Sequence, residues 1–551
     1  MTRFTPFCLL PLCLATVLES TALQSTALLA TEKPNVIFIL ADDWGIGDVK
    51  CFGGDRCRIE TPHMDALAAR GMKFNDAHSS SSVCTPTRYS VLTGRYNWRS
   101  RLKRGVLNGY GEPLIDGDRQ TVAGFLGRQG YTTGCVGKWH LGMNMPTRDG
   151  ERPFSKMTAV DHDKPLDPAK CNVDWSGRIT GGPASVGFDY FYGISASLDM
   201  PPYIWIHNDR FVGECTTAKA FHRSGPAHRD FFDYDVLPTI AARSREFVLE
   251  QGSKKNPFFL YVSLNSPHTP ISPSKSFQGK SGLGKYADFV METDWAIGQI
   301  VQAVDQAGIN NNTLILVTAD NGCSPAALTR GGRNTLNLTF KGQTNDPPES
   351  GKHYASGIYR GHKADIYEGG HRVPFIASWS GKIRPGTECN SPICHVDLFA
   401  TCSDLLGLTP DDSAAVDSIS FLPHLLNRPS NQVRDTVVHH SINGSFALRR
   451  GKWKLAFCPG SGGWSDPRPL KPDATRKMSR QERSEMEWTQ LFDLDSDPAE
   501  QKNVASDHPE TVKQLTSMIL KQIEDGRITE GPPQKNDGET RLYPDWIRKL
   551  K

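Results

Sequence analysis

The sequence predicts an α/β fold with a mostly parallel sheet, followed by a smaller C-terminal α+β domain. Three observations carry that reading: five continuous apolar runs, helical stretches between them, and a change of composition near residue 430.

The runs share one pattern. Asn35 to Leu40 leads into Asp42 and Asp43, and Tyr131 to Val136 into Lys138 and His140. Phe258 to Leu264 leads into His268, and Thr313 to Val317 into Asp320 and Asn321. Val373 to Trp379, just after Lys363, reads as a further core strand, although it enters through Pro374. Runs apolar at every position are strands buried on both faces. Ligands of such sheets bind beyond the carboxyl ends of the strands. Four runs therefore deliver chemically capable groups to one edge of the sheet.

The helix after the first run is legible. Thr61 can cap it, Pro62 suits its first turn, Met64, Leu67 and Ala68 form its apolar face, and Gly71 ends it. Residues 143–186 and 322–356 are rich in Gly, Pro, Asn and Asp and read as long loops that shape a substrate pocket. Past residue 430, Phe446 to Leu455 reads as a hairpin around a basic turn, Leu491 to Leu494 as a short strand, and 508–524 as a helix. These segments define a small domain over 426–551, after a large one over 32–425.

The N-terminus reads as an export signal over residues 1–22. Arg3 supplies the charged start, Phe7 to Val17 an apolar stretch too short to span a membrane, and Ser20-Thr21-Ala22 a cleavage site, with Ala30 as a later alternative. The protein is thus expected in the periplasm or secreted. Removing Cys8 and Cys13 with the signal leaves 11 of the 13 cysteines. Export permits disulfides, and Cys51/Cys57 and Cys389/Cys394 are close enough to consider, with buried free thiols the equal alternative. The net charge of +3 on 551 residues excludes the clustered basic field that a nucleic acid or an anionic membrane would need. Affinity for an anionic substrate must come from local groups.

Asp42, Asp43, Asp320 and Asn321 offer three carboxylates and an amide at two strand ends. These are hard oxygen donors, suited to Ca²⁺ and less to Mg²⁺. One Asp pair alone would be a solvated turn; two pairs at one sheet edge favour a metal. In the segment Ser81 to Arg95, Thr85 can cap a helix beginning at Pro86, which sets Cys84 at its N-terminus with Arg88 one turn in. The residues alone leave Cys84 open between a packing residue, a disulfide partner and a thiolate nucleophile.

Cys84-Thr85-Pro86-Thr87-Arg88, continued by Leu92-Thr93-Gly94-Arg95, resembles the C-x-P-x-R signature of the type I, formylglycine-dependent sulfatases. The resemblance extends in order from about Lys33 to about Val504. It includes Gly137-Lys138-Trp139-His140-Leu141-Gly142, Pro267-His268, Thr318-Ala319-Asp320-Asn321-Gly322, Gly361-His362-Lys363 and Tyr367-Glu368-Gly369-Gly370. It implies an arylsulfatase-like hydrolase of alkaline-phosphatase-like fold, with a large mixed, mostly parallel sheet. It also implies that Cys84 is oxidised to formylglycine by a formylglycine-generating or anaerobic maturing enzyme.

In the family's terms Asp42, Asp43, Asp320 and Asn321 hold one calcium ion, with modified Cys84 completing the sphere. Arg88 holds the hydrate, and Lys138 and Lys363 neutralise sulfate oxygens. His268 protonates the leaving alcohol. His140 takes the proton of the second hydroxyl, so that the covalent sulfate ester collapses to the aldehyde. The expected substrate is a sulfated carbohydrate or an aryl sulfate. Two alternatives remain: a related phosphonate or phosphate ester hydrolase, and a sulfated-glycan binding protein whose Cys84 is not converted. His371 receives no role, and His353 and His362 read as solvated loop residues.

Overall fold

Alternate residues of β1 (Asn35–Ala41) enter two different cores, which is why the run is apolar at every position. Val36, Phe38 and Leu40 pack on one face of the sheet, and Ile37, Ile39 and Ala41 on the other. The structure is a computed structural model. It describes residues 1–2, 33–153, 171–330, 336–342, 348–429, 433–468, 478–479, 481–482 and 485–542. The expected export signal, residues 1–22, lies outside the described residues from residue 3 onward, as does part of each long loop.

The principal sheet has ten strands. In chain order they are β1, β2 (Met72–Phe74), β3 (Thr132–Lys138), β4 (Tyr190–Ile194), β5 (Ile206–His207), β6 (Arg210–Phe211), β7 (Phe258–Ser263), β8 (Thr313–Ala319), β9 (Phe375–Ser378) and β10 (Thr387–Cys389). Their spatial order is β10-β2-β9-β8-β1-β7-β3-β4-β5-β6. The five middle strands, β8 to β4, run parallel, and β9 joins β8 antiparallel. The run after Lys363 is thus a core strand, and the sheet is mixed. The four strands read as carriers of polar groups lie side by side as β8, β1, β7 and β3.

Helices cover both faces. α1 (Pro62–Arg70), α3 (Val236–Gly252) and α4 (Lys285–Gln306) pack on one, and α2 (Cys84–Thr93) on the other. Two capping expectations fail. Thr61 occupies the cap position of α1, but its hydroxyl accepts from the amide of Lys50 instead of from the helix. α2 begins two residues earlier than expected, at Cys84 itself, with Val83 before it; the Thr85 hydroxyl accepts from the Leu107 amide. In both cases a neighbouring chain segment competes for the hydroxyl and wins.

A second sheet of four antiparallel strands follows: β11 (Thr436–His440), β12 (Phe446–Arg450), β13 (Trp453–Ala456) and β14 (Gln490–Asp493). α5 (Pro509–Asp525) lays Leu515 and Ile519 on it, in a core shared with Tyr96, Trp98 and Val396 of the large domain. Buried ion pairs reinforce the join: Arg434 Nε reaches Asp397 Oδ2 at 2.7 Å, and Lys454 reaches Glu368 at 3.1 Å. From Pro34 to Lys551 the chain is one compact unit. The eleven described cysteines are all free thiols, Cys51, Cys57, Cys389 and Cys394 included. Among the described residues, no helix is long and apolar enough to cross a membrane.

Gly137 shows how tightly the sheet edge is built. Its φ of 111° is open to glycine, and an added Cβ would lie 1.9 Å from the carbonyl oxygen of Ser263 on the next strand. Gly137→Ala should therefore cost about 2–4 kcal/mol from overpacking and left-handed strain together. Urea denaturation measures this, and a change below about 0.5 kcal/mol, the scale of a surface substitution, would contradict it.

Candidate active site

The carboxyl ends of β8, β1, β7 and β3, the N-terminus of α2 and the 361–365 loop that carries Lys363 bring all ten predicted residues to one place. The local backbone is specialised: Asp43 and His140 both adopt positive φ, 61° and 55°, where the chain turns sharply off its strand. The amide of Asp42 donates to Ser266 O and that of Asp320 to Ala41 O, each at 2.9 Å, so the strand ends are tied to one another.

Three carboxylates and three cations interlock in the interior. Lys138 Nζ lies 2.7 Å from Asp42 Oδ2, Lys363 Nζ 2.7 Å from Asp43 Oδ1, and Arg88 Nη2 2.6 Å from Asp320 Oδ2. Asn321 Nδ2 donates to Asp43 Oδ1 at 2.8 Å. His268 Nε2 stands 3.6 Å from Asp43 Oδ2. Ligand atoms of Asp42, Cys84 and Asp320 all lie within 4.8 Å of one another, as do those of Asp42, Asp43 and His268. Only His268 and Lys363 of the ten keep appreciable exposure, 7% and 6%, so the site opens on their side.

Burial acts on every charge here. It would raise Asp42, but Lys138, His268, Arg88 and Lys363 outweigh it and hold that carboxyl below its ordinary range. Asp320 goes the other way, pushed up by burial and by the neighbouring Asp42 carboxylate despite Arg88. Burial also raises the Cys84 thiol, and Asp320 and Asp42 add to it; Lys138 and Lys363 do not overcome them. The encoded cysteine is thus held as a thiol, which argues against a thiolate nucleophile. His140 is driven well below its ordinary value by burial and by Lys138. Its Nε2–H donates to Leu107 O at 2.7 Å, which leaves Nδ1 bare and without a partner.

Two more buried acceptors in this site lack a hydrogen-bond donor: Asp42 Oδ1 and Asn321 Oδ1. A bare carboxylate oxygen and a bare amide oxygen, beside Asp43 and Asp320, form a hard-oxygen set that fits Ca²⁺ or Mg²⁺. A second gathering of possible ligands does not fit a metal. His78, His371, His439 and Glu368 lie together, but the rings of His371 and His439 stack at 3.5 Å with an interplanar angle of 13°. Parallel stacked rings cannot both direct a lone pair at one ion. The group reads instead as a hydrogen-bond chain: Lys454 Nζ donates to His371 Nε2 (2.9 Å), His371 Nδ1 to His78 Nδ1 (3.2 Å), and His78 Nε2 to Asp76 (2.6 Å).

Other expectations need correcting. His353 and His362 are buried rather than solvated: His353 Nε2 bonds Asp48 Oδ1 at 2.6 Å, and His362 Nδ1 bonds Lys363 O at 2.8 Å. In the expected hairpin, the basic turn is paired: Arg449 with Asp76, Arg450 with Asp435 and Lys452 with Asp493. Sequence reading also missed Ser263 and Ser197. Ser263 accepts from Arg88 and donates to Lys138 O. Ser197 Oγ lies 3.3 Å from Lys138 Nζ and 3.2 Å from His268 Nδ1. The rule that polar groups follow apolar strands would have found Ser197, which follows β4, had Tyr190 to Ile194 been read as a strand.

A mixed, mostly parallel sheet carrying its polar groups on the carboxyl edge, with a small antiparallel sheet beside it, is the alkaline-phosphatase-like architecture. A phosphonate monoester hydrolase from Silicibacter pomeroyi shares that fold at a TM-score of 0.54, with 17% identity over 89% of this chain and 95% of its own. The Sulfatase family model matches residues 34–408. An N-acetylgalactosamine-6-O-sulfatase of Bacteroides thetaiotaomicron is 31% identical, covering 89% of this chain and 93% of the relative. Human arylsulfatase A is 29% identical over 92% and 91%. A solved sulfatase structure from the glycosaminoglycan metabolism of Bacteroides thetaiotaomicron superposes with a TM-score of 0.70, at 29% identity over 89% and 99%. The chain belongs to the sulfatase family, and it is a sulfuric ester hydrolase.

Lys138→Ala leaves Asp42 buried beside a lost partner. Removing one member of a buried pair should lower the stability of the metal-free protein by about 3 kcal/mol. Denaturation in the presence of a chelator measures it, and unchanged stability would show that Lys138 does not balance Asp42.

Proposed function

We propose that this protein hydrolyses sulfate esters of a carbohydrate, using Cys84 in its formylglycine form and one bound calcium ion. The observation that carries the proposal is the joint arrival of Cys84, two lysines, two histidines and partnerless oxygen lone pairs at one buried sheet edge. The relatives named for N-acetylgalactosamine 6-O-sulfate and the glycosaminoglycan context of the similar structure support the carbohydrate class.

The charge balance supports a dication. Lys138 and Lys363 are engaged by Asp42 and Asp43, and they can turn to sulfate oxygens only if another charge satisfies those carboxylates. Calcium held by Asp42, Asp43, Asp320 and Asn321 would supply that charge and polarise the sulfate. The aldehyde hydrate at position 84 would supply the nucleophile, held by Arg88. Lys138 and Lys363 then stabilise the charge that grows on the sulfate oxygens. His140, neutral with Nδ1 bare, accepts the proton of a hydroxyl at position 84. His268, at the open side, donates a proton to the leaving alcohol oxygen.

The same reading has the chain exported through its N-terminal signal, to the periplasm or beyond, and matured by a formylglycine-generating or anaerobic enzyme. It assigns the catalytic domain to 32–425 and the small domain to 426–551.

Mass spectrometry of the Cys84 peptide tests the modification. Conversion should make it about 18 Da lighter, sulfur being replaced by oxygen with loss of two hydrogens in the oxidation; unmodified cysteine in an active preparation would overturn it. Matched aryl sulfates and phosphonates separate the sulfatase from the phosphonate hydrolase, and faster phosphonate turnover would favour the latter. His268→Ala should lower kcat about 10²–10⁴-fold on saccharide sulfates, as loss of a general acid does. Its effect on 4-nitrophenyl sulfate should be far smaller, because that leaving group needs no proton. Equal losses on both would remove His268 from the acid role.

A further inference from the structure

The segment after β4 carries a carboxylate that the catalytic scheme does not use. Asp199 follows Ser197 by two residues, and Ser197 Oγ touches both Lys138 Nζ and His268 Nδ1. The segment is anchored on both sides. The His140 amide donates to Ser195 O at 3.0 Å, and a Cβ on Gly109 would lie 1.8 Å from Pro201 O, so the 107–110 and 195–202 loops pack backbone to backbone. Asp199 Oδ2 is gripped by the guanidinium of Arg223. Arg223 itself sits in the turn of a hairpin pinned to Tyr203, whose hydroxyl donates to Arg223 O and whose amide donates to Pro226 O. The other carboxylate oxygen, Oδ1, is buried with no donor, and the residue as a whole is 5% exposed.

A fixed carboxylate with one unsatisfied oxygen, two residues from the serine that touches Lys138 and His268, calls for a hydrogen-bond donor. The bond to Arg223 fixes its orientation and leaves Oδ1 as the available acceptor. Burial would raise this carboxyl, but His268, Arg223, Lys138 and Lys363 hold it down to about 2, so it is a charged acceptor at working pH. A charged acceptor cannot tolerate a second sulfate or a carboxylate at the same spot.

We propose that Asp199 is a specificity-determining residue, accepting a hydrogen bond from a hydroxyl or amide N–H next to the scissile ester and excluding a second anionic group there. This deepens the carbohydrate reading and rests on it for the natural substrate, but the hydrogen bond can be tested apart from it. The matured full-length enzyme is assayed on 4-nitrocatechol sulfate, which carries a hydroxyl beside the ester, and on 4-nitrophenyl sulfate, which carries none. The readout is the ratio of their kcat/KM values.

Wild type should favour the hydroxyl-bearing ester. Asp199→Leu should reduce that ratio by about 10- to 100-fold, as loss of a hydrogen bond to a charged group does, and Asp199→Asn, which keeps an acceptor oxygen, should retain part of it. An unchanged ratio in Asp199→Leu overturns the proposal. So does an equal loss on both esters, since that marks a carboxylate that merely holds Arg223 and its loop. Should Asp199→Leu not fold, the Asp199→Asn ratio decides, and no change there overturns the proposal equally. Wild type that hydrolyses aryl sulfates but no saccharide in a panel of defined monosulfates would end the carbohydrate reading, while the ratio still judges Asp199.

Discussion

Three carboxylates neutralised by three cations, out of water at the carboxyl edge of a sheet, set the terms for everything near them. Isolated charges so deep in the protein would cost several kcal/mol each. They are tolerable because Asp42, Asp43 and Asp320 each meet Lys138, Lys363 or Arg88 at 2.6–2.7 Å. The site's lysines are engaged by acids, and burial, with the neighbouring acids adding to it, holds its thiol above the ordinary range. Rigid strand ends, positive-φ turns at Asp43 and His140, and a glycine at 137 keep the six charges in register.

The surrounding fold serves that rigidity. Central strands that feed two cores through alternate residues cannot slip by one residue without handing each core the side chains packed for the other. The edge on which the charges stand is therefore fixed from both faces. The small domain adds a second constraint. Lys454 on β13 reaches Glu368 and the His371 chain, so the segment running from Lys363 to β9 is pinned from the far side. Polar groups that look like a metal site in a list of residues are a structural hydrogen-bond chain once the stacking of His371 on His439 is seen.

Recognition of the leaving group is built on different elements from the chemistry. The three carboxylates and Lys138 stand at the ends of the parallel strands, whereas Asp199 and Arg223 come from connections beyond them. Loops on a fixed scaffold can change the alcohol that is read without disturbing the groups that meet sulfur.

Much of this was legible in the residues. Apolar runs buried on both faces imply a parallel sheet, and the rule that ligands lie beyond its strand ends places Asp42, Lys138, His268 and Asp320 on one edge. The C-x-P-x-R segment pointed to the sulfatase family, to which the chain belongs. What the sequence could not decide was anything set by competition between distant segments. Thr61 and Thr85 lost their caps to Lys50 and Leu107. His353 and His362 left solvent because Asp48 and the backbone at Lys363 came to meet them. The free lone pair on Asp199 exists only because Arg223, 24 residues away, occupies the other oxygen. Periodicity and motif report what a residue does to its neighbours in sequence. Burial, pairing and the choice among partners belong to the folded chain, where segments far apart in sequence compete for the same hydrogen bonds.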